Sequence, residues 1–549
     1  MIVHEFILKV NWAQAPSKAG CRSVNMPEDV VVNREENTLS GNMSNKVMPM
    51  QNTTKEPSPL ESNDADGKQF QEPVAESKKP GKLRHLCVCP PQGIIAITIT
   101  NVAAVAVVWA VVWSVSGKES LPGGNLFGLL FLFFCSLIGG NLMLLIKLPG
   151  LPPFPRLLGM LLAGFLIRNI PFTSKIVQIN VKWAAALRNM ALAIILALAG
   201  LGLDPKALNK LKAVCFRLSL GPCIIESCAA AVLSHFLLKL PWEWAFMLGF
   251  VLGAVSPAIV VLSMLSLKVR GYGVDKGIPT LLIAAASLDD IVAITGFNTF
   301  LAMGFSQGST MYSLLQGLME VGLGIAAGGF LGIFICYFPS KDQAFLVWKR
   351  AFFVIGLSMG AVLGSKYFGF PGSGGLCTVV LAFLAGMAWS EEKREVEEIV
   401  TMAWQVFQPF LFGLIGAEVS IVTVGARTVG LCLGTVGLSL IIRITVTFLL
   451  VTHTGFNFKE KVFVALAWIP KATVQAAVGS LALDTARIIK NKKFEEYGLD
   501  ILTVAFMAIL TTAPTGALII GLAGPKLLHQ TDKGSEQENG KQIKIHSPI

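Results

Sequence analysis

Two adjacent carboxylates, Asp289 and Asp290, lie near the middle of the apolar run Leu281–Gly296 (LLIAAASLDDIVAITG). A charge at the centre of a bilayer costs roughly 2.5–3.5 kcal/mol on insertion scales, so each one asks for a chemical reason. Neighbouring carboxylates are hard to keep ionised together in a low dielectric, because like charge and desolvation both favour the protonated form. Such a pair suits a site that alternates between a proton and a hard cation, which takes oxygen ligands. The Ser287 and Thr295 hydroxyls and the Asn298 amide are close enough in sequence to help. The bland reading is a helix-end or cavity-facing pair with no transport role, but intramembrane acids default to function.

Further charges stand inside apolar runs, Arg443, Glu226 and Lys471 among them. Arg443, in LIIRITVT, is mid-span with no local partner, and a permanently charged guanidinium there needs a carboxylate from another helix. Asp289 and Glu226 are the candidates; a snorkelling arginine would sit nearer a span end. Glu226 lies in GPCIIESC and Lys471 in WIPKATVQ. Glu418 sits at a span end and reads as interfacial. Two spans also carry likely breaks, at Ser256-Pro257 and at Pro470, since proline removes a helical hydrogen bond and clashes with the preceding turn. Paired interrupted helices mark transporter binding sites, because half-helix ends supply dipoles and unwound carbonyls bind cations. A simple proline kink is the competing explanation for either break alone.

The elements that hold these residues must be membrane helices. Of 549 residues, 53% are hydrophobic and only 14% charged, where a soluble domain carries about 25% charged residues. Runs of about 20 apolar residues, the length needed to cross about 30 Å of hydrocarbon, recur along the chain. Fourteen spans are expected, near residues 94–116, 125–146, 154–168, 183–203, 213–238, 243–266, 278–304, 310–338, 346–365, 373–389, 400–418, 428–452, 460–484 and 499–524, the third short and flanked by prolines. Residues 1–85 and 526–549 are polar, and the first reads as a disordered tail. Frequent glycines, Gly159 and Gly164 among them, let membrane helices pack closely. The net charge of +11 reflects Lys and Arg flanking the spans rather than nucleic-acid binding, and the basic residues next to the first span and in alternate loops favour both termini on the cytoplasmic side. The ten cysteines form neither a metal-spaced set nor a disulfide framework; Cys87 and Cys89, at a membrane edge, are a weak palmitoylation signal. Asn42 and Asn52 fit the glycosylation pattern. No enzyme is expected: neighbouring acids on one helix point about 100° apart and cannot share a proton as a protease dyad does, and the six histidines are scattered.

These residues carry a family likeness. The chain resembles the cation/proton antiporter superfamily, specifically the animal NHA branch of sodium/hydrogen exchangers. The matching stretches are Leu121–Gly128, Leu158–Phe165, Ala199–Asp204, Gly249–Pro257, Asp289-Asp290, Gly372–Cys377, Phe412–Glu418 and Pro470–Ala476, so the likeness runs from about residue 87 to 528. It implies an all-α, inverted-repeat antiporter fold over residues 86–525, with dimerisation helices and a six-helix ion-transporting core in which two broken helices cross. It also implies a homodimer working by elevator-like alternating access. By the family pattern Asp290 is the main carrier of ion and proton, and Asp289 assists or neutralises a basic partner; Arg443 matches the basic residue near the acids. Two positions depart from the pattern. Leu198 stands where relatives have Arg, and Leu262 where they have Pro. With that arginine missing, Glu226 either pairs with Arg443 or is protonated.

The expectation is therefore a secondary active antiporter exchanging Na⁺ or Li⁺ for H⁺, with Asp289 and Asp290 as the ion site, Arg443, Glu226 and Lys471 as a supporting charge network, and no cofactor. The transported ions and the lipid bilayer are its partners. The competing expectation is a transport-inactive relative acting as a scaffold or regulator. A plasma membrane, including a specialised surface such as a flagellar one, is favoured; organelle and mitochondrial inner membranes are alternatives, although no Arg-rich transit peptide opens the chain.

Overall fold

The computed structural model describes residues 94–530 except 147–152, 204–211, 306–309, 371, 390–391, 421–425 and 453. The tails, Cys87, Cys89, Asn42 and Asn52 lie outside the described residues. The structure is helical, as apolar runs in lipid must be, because only a helix satisfies every backbone polar group within its own segment. In chain order the helices are α1 (Ile94–Ser116), α2 (Asn125–Leu145), α3 (Arg156–Asn169), α4 (Pro171–Ile176), α5 (Val181–Gly202), α6 (Lys212–Leu238), α7 (Trp242–Gly253), α8 (Pro257–Val269) and α9 (Ile278–Phe305). Then follow α10 (Thr310–Tyr337), α11 (Leu346–Tyr367), α12 (Ser373–Ala388), α13 (Lys393–Glu418), α14 (Ala426–Leu450), α15 (Phe458–Leu466), α16 (Thr473–Gly479), α17 (Leu481–Ile489) and α18 (Lys492–Leu527).

Residues 1–105 and 106–549 form two units. Of the first, only the opening of α1 is described, and its apolar side chains are exposed.

Among the described residues eleven helices are long and apolar enough to cross a membrane, with α7 and α8 counted as one interrupted span. The expected count of fourteen is not confirmed by length and composition alone. The other three segments are helical but short: α3 has 14 residues and α12 has 16, and the segment expected at 460–484 is divided into α15, α16 and α17, of nine, seven and nine residues.

Within the second unit the helices pack as two groups. One gathers α2, α3, α5 and α10–α13; the other gathers α6–α9 and α14–α18. The first group is held at short range by glycines. A Cβ on Gly159 would stand 2.0 Å from the Gly139 carbonyl oxygen, and one on Gly164 would stand 2.0 Å from that of Gly413, so α2–α3 and α3–α13 approach backbone to backbone. The groups meet where α9 packs on α10 and α12, α16 on α5, and α18 on α3.

Both breaks have local causes. Helix α7 stops at Gly253, the chain runs extended through Ala254–Ser256, and Pro257 opens α8 at its first turn, where proline's missing N–H costs nothing. Helix α15 begins on a capping box between Asn457 and Glu460. Non-helical backbone then follows it until Thr473, with Pro470 inside that stretch.

Candidate functional site

The two breaks lie against each other. The Ser256 N–H donates to the Pro470 carbonyl at 2.8 Å, and the Ser256 and Thr473 hydroxyls stand 3.4 Å apart. Gln475 donates its amide N–H groups to the carbonyls of Val251 (2.9 Å) and Ala254 (2.8 Å). The Lys471 N–H donates to Thr512 at 3.0 Å. These bonds answer the question every helix break raises, which is where the freed backbone groups find partners.

The charged side chains converge on the same point. Asp289, Arg443, Glu226 and Lys471 are fully buried, and Asp290 is 3% exposed. Arg443, from α14, lies between two carboxylates: Nη1 is 2.5 Å from Glu226 Oε2 of α6, and Nη2 is 2.9 Å from Asp289 Oδ1 of α9. Nη1 also donates to the Gly253 carbonyl at the end of α7, and the guanidinium sits over the Trp468 ring, 5.9 Å from its centroid. Lys471 Nζ is 2.8–2.9 Å from both Glu226 oxygens and donates to the Leu252 carbonyl. The second oxygen of Asp289 accepts the Val255 N–H at 2.8 Å, inside the first break.

Asp290 differs from its neighbour. Its Oδ1 is buried and accepts no hydrogen bond among the described residues, whereas both oxygens of Asp289 are held. One cluster thus contains two cations, Arg443 and Lys471, and three carboxylates, Glu226, Asp289 and Asp290.

Other expected residues go elsewhere. Ser287 turns its hydroxyl back to the Ile283 carbonyl. Thr295 and Asn298 line a small cavity beside Glu320 and Gly372. Leu198 packs at the rim of the apolar core, and Glu226 has Arg443 and Lys471 as its basic partners. Leu262 is exposed. Glu418, the last residue of α13, is only 18% exposed and binds the Arg487 guanidinium through two bonds of 2.9 Å.

Sequence reasoning missed a second buried network that joins the two helix groups. Arg188 of α5 is 2.5 Å from Asp484 of α17 and 3.4 Å from Glu418 of α13, while Lys366 donates to Asn189 at 2.7 Å. The available signal was Arg188 a full two turns inside its span, and Asp484 among Leu and Ala on a segment whose first residues are wholly apolar.

Residues 129–522 match the family described as "Sodium/hydrogen exchanger, transmembrane". The chain is 61% identical over 471 residues to a human protein named sodium/hydrogen exchanger 9B2, covering 86% of this chain and 88% of that one. It is 54% identical over 453 residues to human sodium/hydrogen exchanger 9B1, covering 82% and 88%. Among solved structures, the sodium proton antiporter MjNhaP1 from Methanocaldococcus jannaschii superposes with a TM-score of 0.59 at 20% identity, over 73% of this chain and 99% of that one, a likeness of fold. The broken helices, the buried charge cluster and these matches agree, and the chain belongs to the transmembrane sodium/hydrogen exchanger family.

Proposed function

We propose that the protein exchanges Na⁺ or Li⁺ for H⁺ across a membrane, with Asp290 as the carrier of both ions and Asp289 as its fixed neighbour. The observation that carries this reading is the charge balance of the cluster. Arg443 and Lys471 offset Glu226 and Asp289, which leaves one carboxylate, Asp290, without a cationic partner. A buried carboxylate in that position is neutral only while it holds a proton or a cation. The two ions therefore compete for one place, and competition for one place is what couples their movements. The relatives' name, sodium/hydrogen exchanger, supports the ion pair; the small size of Li⁺ suits the same oxygen ligands.

The transport cycle follows alternating access. With the site open to one side, Na⁺ displaces the proton from Asp290; the loaded site moves; a proton on the far side releases Na⁺. The second helix group, which carries every residue of the cluster, is the moving body, and the glycine-locked first group is the frame and dimer interface. Both termini are cytoplasmic in this reading, and the plasma membrane is the site of action.

The test is proton flux in proteoliposomes with a lumenal pH dye, adding Na⁺, Li⁺ and K⁺ in turn. Sodium- and lithium-driven flux that Asp290→Asn abolishes is expected. Flux that survives the substitution moves the carrier elsewhere. Absence of cation-driven flux from folded wild-type protein would favour a scaffold that retains the fold without transport.

A further inference from the structure

The chain leaving α18 folds back onto the turn between α8 and α9. That turn, residues 270–277, contains Gly271, Gly273 and Gly277, whose φ angles are 81°, 65° and 66°. A turn so rich in glycine is costly to order, because glycine loses more backbone freedom than any other residue, so bonds from outside must help to hold it. The chain after α18 supplies them. Tyr272 pairs with Gln530 in an antiparallel bridge, beside which the Gly273 N–H donates to the His529 carbonyl at 2.8 Å. The Gln530 amide N–H donates to the Arg270 carbonyl at 3.4 Å. Leu528, buried at 6% exposure, belongs to the same apolar cluster as Leu267 of α8, Ile278 and Leu281 of α9 and Phe463 of α15. A Cβ on Gly273 would stand 3.3 Å from the Leu528 Cδ1.

Gly273 joins the two sides of this contact. Its N–H holds the returning chain, and its carbonyl accepts the Ile278 N–H at 3.1 Å, at the first residue of α9. The Tyr272 N–H donates to the Leu267 carbonyl at 3.0 Å, near the end of α8. From the same turn Lys276 Nζ reaches Glu460 Oε2 of α15 at 2.8 Å, and Glu460 is the acid of that helix's capping box. The helix after the first break, the helix that carries the two aspartates and the helix that leads into the second break are thus fastened at one turn, and Leu528–Gln530 is the clip on it.

We propose that Leu528–Gln530 is a positioning element for α9 and, through α9, for Asp290. The carboxylate lies about 18 Å along the helix axis from Ile278, at 1.5 Å per residue. A bound cation needs several oxygens held at set distances, whereas a proton needs one. An α9 that shifts against the two breaks therefore loses affinity for sodium while Asp290 still takes a proton. This kinetic consequence rests on the exchange reading above; the hold of the clip on α9 does not.

The test compares the full chain with a chain ending after Leu527, a chain ending after Lys533, and the full chain carrying Gly273→Ala, which strains the turn and presses on Leu528 while leaving the C-terminal segment in place. Deuterium uptake by peptides from the first turns of α9 is measured in detergent, and sodium-driven flux in proteoliposomes gives KM and kcat. Ending the chain after Leu527 and Gly273→Ala should each speed uptake about tenfold and raise the KM for sodium about as much, the factor that corresponds to losing one net hydrogen bond, with kcat changed less than KM. The chain ending after Lys533 should match the full chain in both. If the shortest chain does not fold, Gly273→Ala decides the matter alone. Unchanged uptake in α9 overturns the proposal, and so does a fall in kcat at unchanged KM, which is what a smaller number of active molecules produces. A full chain without sodium-driven flux refutes the exchange reading instead, and deuterium uptake then decides whether the clip holds α9.

Discussion

At the scale of single residues, two neighbouring aspartates have opposite structural duties. Asp289 is bound by the Arg443 guanidinium and by a backbone N–H of the break, while Asp290 presents a buried oxygen that nothing in the described protein holds. Glu226 is the structural acid, shared by Arg443 and Lys471. Removing one partner from a buried ion pair costs about 3–5 kcal/mol, because it strands the other charge. Glu226→Gln should therefore lower the melting temperature in detergent sharply, whereas Asp290→Asn should leave it equal to or above that of wild type. A thermal melt of the two variants side by side separates the acid that maintains the fold from the one proposed to carry the ion; equal destabilisation would contradict the division. That Asp289, Asp290 and Arg443 matter was legible in the sequence, because each is a charge placed where charges are costly. Their pairing was not: Arg443 and Glu226 are 217 positions apart, and neither period nor composition encodes such a contact.

At the scale of elements, the site is the meeting of two interrupted helices, and Gln475 is the clasp. Its amide holds two carbonyls, of Val251 and Ala254, that the end of α7 would otherwise leave buried and unpaired. Gln475→Leu keeps the volume and removes both donors. An unsatisfied buried carbonyl costs about 1–3 kcal/mol, so the variant should lose roughly 2 kcal/mol or more of stability and most of its proteoliposome flux, while still reaching the membrane. A melt and a flux assay on the same preparation check this; wild-type behaviour in both would show that the break does not depend on Gln475. The positions of the breaks were readable from Ser256-Pro257 and Pro470, whose chemistry is local. Neither sequence nor helix length confirms the number of spans, because an apolar run of 14 to 16 residues looks the same whether it crosses a bilayer or packs inside a bundle. Length and period cannot show that three consecutive short helices replace one long one between residues 458 and 489.

At the scale of the whole molecule, movement of one helix group past the other requires the seam to slide. Ile294 of α9 faces Gly375 of α12 across it: a Cβ on Gly375 would stand 3.8 Å from the Ile294 Cγ2. Paired cysteines at Ile294 and Gly375, oxidised after reconstitution, should stop flux, and reductant should restore it. Undiminished flux with the disulfide confirmed by mass spectrometry would mean that the seam does not move. The same charge cluster bears on electrical behaviour. Two cations and two carboxylates are matched in the structure, so under the proposed exchange the site would carry the same total charge whether a proton or a sodium ion occupied Asp290. One-for-one exchange at such a site transfers no current, and a diffusion potential imposed with valinomycin and a potassium gradient should leave its rate unchanged. If the proposed one-for-one exchange holds, the carrier answers to concentration gradients alone, and a cell that depolarises would not alter the direction in which it runs.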